Sequence, residues 1–303
     1  MTRKSAWACA LLCSSALLAN QGGAVDVWMH NIEYHYSPRV AVHIQQLRGQ
    51  FVPTKSGGMP IFDDAHSFSL EMKYAEIAIS ADSLANVLNQ NVFNAPDAPL
   101  KKLAITTEGQ TLKIKGQLHS KGDLPFETDG TVSPTSDGKI RLHATNIKAA
   151  KLPVKGLMDL LGLKIQSLIN TKKISGVQVE GDDLILDATE ILPPPKISGR
   201  VTQVRVQGND IVETFGNAAD AGSDPGIEGN YMAYRGAQLR FGKLTMTDTD
   251  MILIDMNPAD PFDFYLDHYK EQLAAGYSKT TMDSGLRVYM RDYNKLHQSM
   301  AHK

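Results

Sequence analysis

Cysteine is nearly absent from this 303-residue chain, and both copies, Cys9 and Cys13, fall within its first 20 residues. Arg3 and Lys4 precede an apolar run over residues 6–19, and the small-residue stretch Gln21-Gly22-Gly23-Ala24 follows. This is the layout of a secretory signal peptide, with Gly22 and Ala24 at the small positions before the cut. A run of about 14 residues is shorter than the roughly 20 that a spanning helix needs. Leu12 stands before Cys13, where a lipoprotein attachment site wants a small residue. Residues 1–24 are therefore expected to be removed and the product to be periplasmic or secreted. Such a product has no thiol, which excludes a disulfide, a cysteine nucleophile and a thiolate metal site.

Catalytic motifs are missing too. The chain has no G-x-S-x-G, no G-x-x-x-x-G-K-[ST] and no H-E-x-x-H, and Ser223 in Gly222-Ser223-Asp224 has no patterned partner. His30, His35 and His43 are close in sequence, but on a regular strand His30 and His35 differ by an odd number and face opposite sides. Asp248 and Asp250 resemble the start of a calcium loop, yet the next ligand position and the glycine position hold Ile252 and Leu253. Paired carboxylates abound among 33 acidic residues, and no pair stands out. No catalytic residue, metal set or cofactor is assigned.

Charge of one sign is lacking as well. The leader holds two of the 31 basic residues and no acid, so the remaining 279 residues carry a formal charge of −4. No basic and aromatic cluster points to nucleic acid. Locally the charge is uneven: residues 139–175 hold eight Lys or Arg and one acid, Asp159, whereas residues 244–267 hold six Asp and no base.

What is present is mostly strand. Ile32, Tyr34 and Tyr36 alternate with polar residues, Ser37-Pro38-Arg39 turns, and Val40, Val42 and Ile44 resume the alternation. Phe68, Leu70, Met72, Ile77 and Ile79 predict a further strand. Ser80 then suits a helix N-cap, and Leu84, Val87, Leu88 and Val92 recur at helical spacing. Strands return over 100–145. A turn unit, Thr107-Glu108-Gly109-Gln110-Thr111-Leu112, has a near copy at Val179-Glu180-Gly181-Asp182-Asp183-Leu184 and a weaker one at Val206-Gln207-Gly208-Asn209-Asp210-Ile211. Each glycine allows the positive φ of a tight hairpin, and a long antiparallel sheet is expected.

Residues 151–170 interrupt it with a second predicted helix. Leu157, Leu160, Leu161, Ile165 and Leu168 form a broad apolar stripe edged by Lys151, Lys155 and Lys164, and Lys172 and Lys173 follow. Such a helix either packs on the sheet or lines an apolar cavity, with its lysines against lipid phosphates. Pro193-Pro194-Pro195 cannot sit in a central strand. Residues 217–230 read as a linker between a sheet-rich domain at 25–216 and a C-terminal subdomain at 231–303. In the latter, a helix capped by Asp260, opening at Pro261 and closing at Gly276, is expected before a last strand at Leu286, Val288 and Met290.

This order resembles that of the tubular lipid-binding superfamily, and within it the LmeA-like phospholipid-binding proteins of the bacterial envelope. The likeness is carried by Ile79-Ser80-Ala81-Asp82-Ser83-Leu84-Ala85-Asn86-Val87-Leu88-Asn89, by Leu152-Pro153-Val154-Lys155-Gly156-Leu157-Met158-Asp159-Leu160-Leu161, and by the turn Glu180-Gly181-Asp182-Asp183-Leu184. It covers about residues 65–215. The resemblance implies an α+β fold, a bent antiparallel sheet wrapped around two amphipathic helices. It also implies an apolar groove holding a phospholipid or other apolar ligand, with transient membrane contact, and the lack of a catalytic motif adds the expectation of binding without catalysis. The expected lining is Leu84, Val87, Leu88, Leu157, Leu160, Leu161, Ile165 and Leu168, with Lys151, Lys155, Lys164, Lys172 and Lys173 at the headgroup or membrane. A partner-docking envelope protein and a secreted hydrolase are the alternatives.

Overall fold

The computed structural model describes residues 23–119, 122–153, 155, 175–222 and 225–296. The chain is α+β and rich in strand. It begins with three long strands, β1 (Val25–Ser37), β2 (Val40–Pro53) and β3 (Phe68–Ser80), joined as an antiparallel meander. Ser80 caps the next element as its hydroxyl predicts, accepting from the amide of Ser83 at 3.0 Å. Helix α1 (Ala81–Val87) then runs into a single π-turn over Leu88–Val92.

A second sheet follows, from β4 (Leu100–Glu108), β5 (Thr111–Leu118), β6 (Leu124–Pro134), β7 (Ile140–Ala149), β8 (Leu152–Pro153), β9 (Val177–Glu180) and β10 (Asp183–Leu186). Its order is β4-β5-β6-β7-β10-β9, with β8 beside β7. After α2 (Ala188–Ile191) the chain returns to the first sheet with β11 (Lys196–Ser198), β12 (Val201–Gln207) and β13 (Asp210–Gly216). The expected single long sheet is thus two sheets. They meet where the amide of Val201 donates to the carbonyl of Gly138 at 3.0 Å. Helix α1 packs on both sheets, and one apolar core runs through all three.

The three glycine turn units are the loops of three two-residue hairpins, closed by Glu108 opposite Thr111, Glu180 opposite Asp183 and Gln207 opposite Asp210. Gly109, Gly181 and Gly208 have φ of 61°, 61° and 62°, and the second loop residue is not left-handed in any of them. That is the type II′ pattern, whose twist matches the flanking strands.

Residues beyond 230 extend the first sheet, so strands on either side of segment 217–230 lie in one sheet. The elements are β14 (Tyr231–Gly236), a small hairpin of β15 (Leu239–Phe241) and β16 (Leu244–Met246), β17 (Thr249–Asp255), β18 (Phe262–Tyr265), α3 (Tyr269–Ala274), β19 (Tyr277–Thr280), β20 (Leu286–Met290) and α4 (Tyr293–Leu296). The sheet is ordered β12-β13-β3-β2-β1-β14-β17-β20-β19. It is not purely antiparallel: β18 on β1, β11 on β3 and β20 on β17 are parallel pairs.

The helix expected from Pro261 begins eight residues late. Phe262–Tyr265 forms a strand buried at every position, where β-prone aromatic residues override the helical spacing. Gln272 of α3, fully buried, holds this strand in place. Its amide oxygen accepts from the amide of Tyr265 at 3.0 Å, and its nitrogen donates to the carbonyls of Asp263 and Arg291 at 2.8 Å each. Gly276 ends α3 for want of space, because a Cβ there would overlap the carbonyl oxygen of Tyr289.

Strand β1 changes partner at Asn31. Residues 25–30 pair with β14 and residues 32–35 with β18. Asn31 takes a left-handed φ of 55°, a conformation that asparagine tolerates better than most residues. Its amide donates to Asn230 Oδ1 and its oxygen meets His43 Nε2, both at 2.8 Å. The turn inverts the strand's alternation, so that Met29, Tyr34 and Tyr36 line the same cavity. His30 and His35 therefore share the outer face, contrary to the parity argument. Asn31→Ala loses two side-chain hydrogen bonds and adds left-handed strain, whereas Asn31→Gly loses only the bonds. Urea unfolding should place Ala about 2–4 kcal/mol below the parent and Gly about 1 kcal/mol less destabilised. The reverse order would show that φ at position 31 is not the constraint.

Candidate functional site

The inner face of the first sheet borders an apolar cleft in two lobes that share Tyr36, Ile44 and Leu70. In the first lobe, β2 and β3 contribute Val42, Leu47, Met72, Ile77 and Ile79, and α1 contributes Leu84 and Val87. Ala188 and Ile191 of α2 close another side, with Leu192, Ile197 of β11 and Phe215 of β13. Helix α2 is a single turn, held by Asp187, whose carboxylate accepts from the amide of Thr189 at 3.0 Å. The proline run follows at once, and Pro195 walls the second lobe. Prolines have no N–H, so the chain crosses this apolar face without stranding amide donors.

The first lobe is a cavity of about 40 Å³. The second, of about 30 Å³, is ringed by Phe51, Phe62, Phe68, Tyr234 and Phe264. Both lobes are narrow as they stand. An alkyl chain is wider than water, so its entry requires side chains to part. Met29 and Met72, unbranched and flexible, are suited to that.

Few polar atoms face the cleft. Tyr36 meets Tyr34 edge-on at 4.9 Å between ring centres, and burial pushes both phenols well above their ordinary pKa. The Tyr234 hydroxyl donates to Met232 Sδ at 3.6 Å. Glu213 is the exception among apolar neighbours. It lies on β13 between Ile211 and Phe215, opposite Ile77 of β3 and Val204 of β12, and its half-buried side chain lines the first lobe. Burial alone pushes its carboxyl up to about 7, with no charge or hydrogen bond opposing it.

Of the residues expected to line a ligand, Leu84 and Val87 border this cleft, and Leu88 is buried in the core beside it. Leu157, Leu160, Leu161, Ile165, Leu168, Lys164, Lys172 and Lys173 lie outside the described residues. Lys151 and Lys155 are exposed, and Leu152 between them is 70% exposed. Glu213, Tyr36, Ala188 and Ile191 were not anticipated. The alternation Ile211, Glu213, Phe215 carries the signal for Glu213, an acid on the apolar phase of a strand.

The outer face carries different chemistry. His35 Nε2 lies 3.1 Å from Asp263 Oδ1. Burial draws His35 toward the neutral form, but the hydrogen bond and charge of Asp263, with the charge of Glu33, prevail and raise its pKa. Burial chiefly raises Glu33 as well. His30 meets the carbonyl of Gly229 at 3.0 Å, so the three histidines have separate partners. Among the described residues, no group of three His, Cys, Asp or Glu is arranged to hold a metal ion, and no helix is long and apolar enough to cross a membrane. Four of the six clustered aspartates have partners within the fold: Asp250 with Arg287, Asp255 with Asn230, Asp260 with Lys295 and Asp263 with His35. No family model, curated protein or solved structure matches the chain.

Glu213 gives stability a pH dependence of definite sign. Its unfolded carboxyl titrates near 4.5 and its folded one near 7, so between those values the unfolded chain has released a proton that the folded chain keeps. Stability falls as pH rises through that window. Glu213→Gln removes the effect. Urea midpoints should show the variant's advantage over the parent to be larger at pH 8 than at pH 5, and equal differences would mean that the carboxyl is solvated as in the unfolded chain.

Proposed function

We propose that the protein is an exported, non-catalytic carrier that holds a lipid or another apolar ligand in the cleft along the first sheet. The observation that carries this is the lining itself, two neighbouring lobes with shared wall residues, lined among the described residues by aliphatic and aromatic side chains with only tyrosine hydroxyls and one carboxyl among them. Each methylene moved there from water contributes about 0.8 kcal/mol, so a chain of eight supplies roughly 6 kcal/mol before the cost of ordering it. The titratable trio of Glu33, His35 and Asp263 stands on the opposite face of the sheet, away from anything bound in the cleft.

The signal-peptide pattern and the resemblance to tubular lipid-binding proteins agree with this function, and a phospholipid of the envelope is the ligand the resemblance implies. In that arrangement the acyl chains occupy the cleft. The lysines at 151 and 155, beside exposed Leu152, meet the membrane surface during transfer.

Native mass spectrometry with lipid extraction, on protein gently purified from its own envelope fraction, tests the proposal. A reproducible lipid-sized mass should accompany the parent and be lost from Ala188→Phe, which fills the first lobe. Circular dichroism should show that variant folded, since overpacking of this kind costs about 1–3 kcal/mol. A bare mass for the parent, with no uptake from added liposomes, would refute the carrier.

A further inference from the structure

Carboxylates are rare inside apolar walls because the charged form loses its hydration and gains nothing back unless it is paired. Glu213 stands in that situation at the first lobe. Among the described residues, the lobe's lining contains no lysine, arginine or histidine, and Tyr36 is its one other titratable group. Among the described residues, Ile77 of β3 and Val204 of β12 stand opposite Glu213, and Leu84 and Val87 of α1 and Ile191 of α2 line the same lobe. A ligand with an anionic end would find no counter-charge among the described residues here and would face a carboxyl that ionises near neutral pH. A ligand ending in a hydrogen-bond donor would supply the partner that the fold withholds.

We propose that the Glu213 end of the cleft receives the donor group of an aliphatic ligand, a hydroxyl or amino group ending an alkyl chain, and turns away chains that end in carboxylate or phosphate. The Glu213 carboxylate accepts from that donor, and Tyr36 offers a second polar contact at the same lobe. This selectivity rests on the carrier function proposed above and narrows it: a phospholipid bound here keeps its phosphate away from Glu213. The uncompensated burial that raises the carboxyl's pKa is the same property that makes a donor welcome, since a hydrogen bond to a charged group is stronger than a neutral one.

Displacement of the fluorescent, uncharged probe N-phenyl-1-naphthylamine tests this on the full exported chain at pH 8 and physiological salt. Decan-1-ol, decylamine and decanoate serve as competitors below their micelle concentrations. Decylamine and decanol should each displace the probe at least about tenfold more tightly than decanoate, the range expected for one charge-assisted hydrogen bond. In Glu213→Gln the three should fall within about threefold of one another, with the probe still bound. Glu213→Leu, which replaces the carboxyl with a side chain suited to these walls, should lose the discrimination in the same way and serves where the amide variant folds poorly. Probe binding with decanoate as tight as decanol, or discrimination that survives both substitutions, would overturn the selectivity and leave the carrier standing. Failure of the probe and all three competitors to bind the parent would overturn both.

Discussion

The first sheet depends on the left-handed residue in the middle of β1. A strand in continuous alternation buries every second side chain, so a one-residue change of phase exchanges its faces. Without the inversion at Asn31, the side of β1 that buries Val25, Val27 and Met29 would go on to bury Glu33 and His35, leaving Tyr34 and Tyr36 on the outside. With it, both tyrosines reach the cleft and the titratable pair reaches Asp263 on the outer face. The same residue marks where β1 exchanges its antiparallel neighbour β14 for its parallel neighbour β18. Position 31 thus sets the joint between the first strand and the strands from Tyr231 onward.

That joint is sealed by side-chain amides rather than by apolar contact alone. Asn31 reaches Asn230, which is buried and donates to Asp255 at 2.8 Å. Gln272 ties β18 to the chain beyond β20 through three hydrogen bonds. Each such bond contributes about 1 kcal/mol when made, and each buried amide costs more than that when left without partners. The C-terminal strands hold their register because these groups can be satisfied in one arrangement.

Local features were legible in the sequence and distant ones were not. The Ser80 cap, the first hairpin and the three glycine turns depend on residues within a few positions of one another, and composition and spacing predict them. The aromatic residues of Phe262–Tyr265 also fit a helical stripe, so spacing alone predicts a helix where the fold has a strand. Its strand character comes from pairing with Ile32–His35, some 230 positions earlier in the chain. The parity of His30 and His35 failed on one backbone angle, which no residue pattern states, although asparagine is among the few residues that adopt it. Glu213 was visible as an acid on an apolar phase, but what surrounds it comes from α1, α2 and β3, and only the fold brings those together.

Polar groups at the sheet joint and at the cleft stand in different surroundings, and the contrast bears on function. Asn230, Gln272 and Asp255 are enclosed and fully engaged, so the sequence can place partners where it buries polar atoms. Glu213 and Tyr36 border apolar walls, and burial alone acts on their titration. A leucine at 213 would suit the lining better and would remove the desolvation cost, so the glutamate is a local rule broken without structural compensation. Such breaks belong at functional sites, where a ligand makes good what the fold leaves out. The amides of Asn230 and Gln272 hold the sheet joint, whereas Glu213 stands among apolar walls where a ligand can reach it.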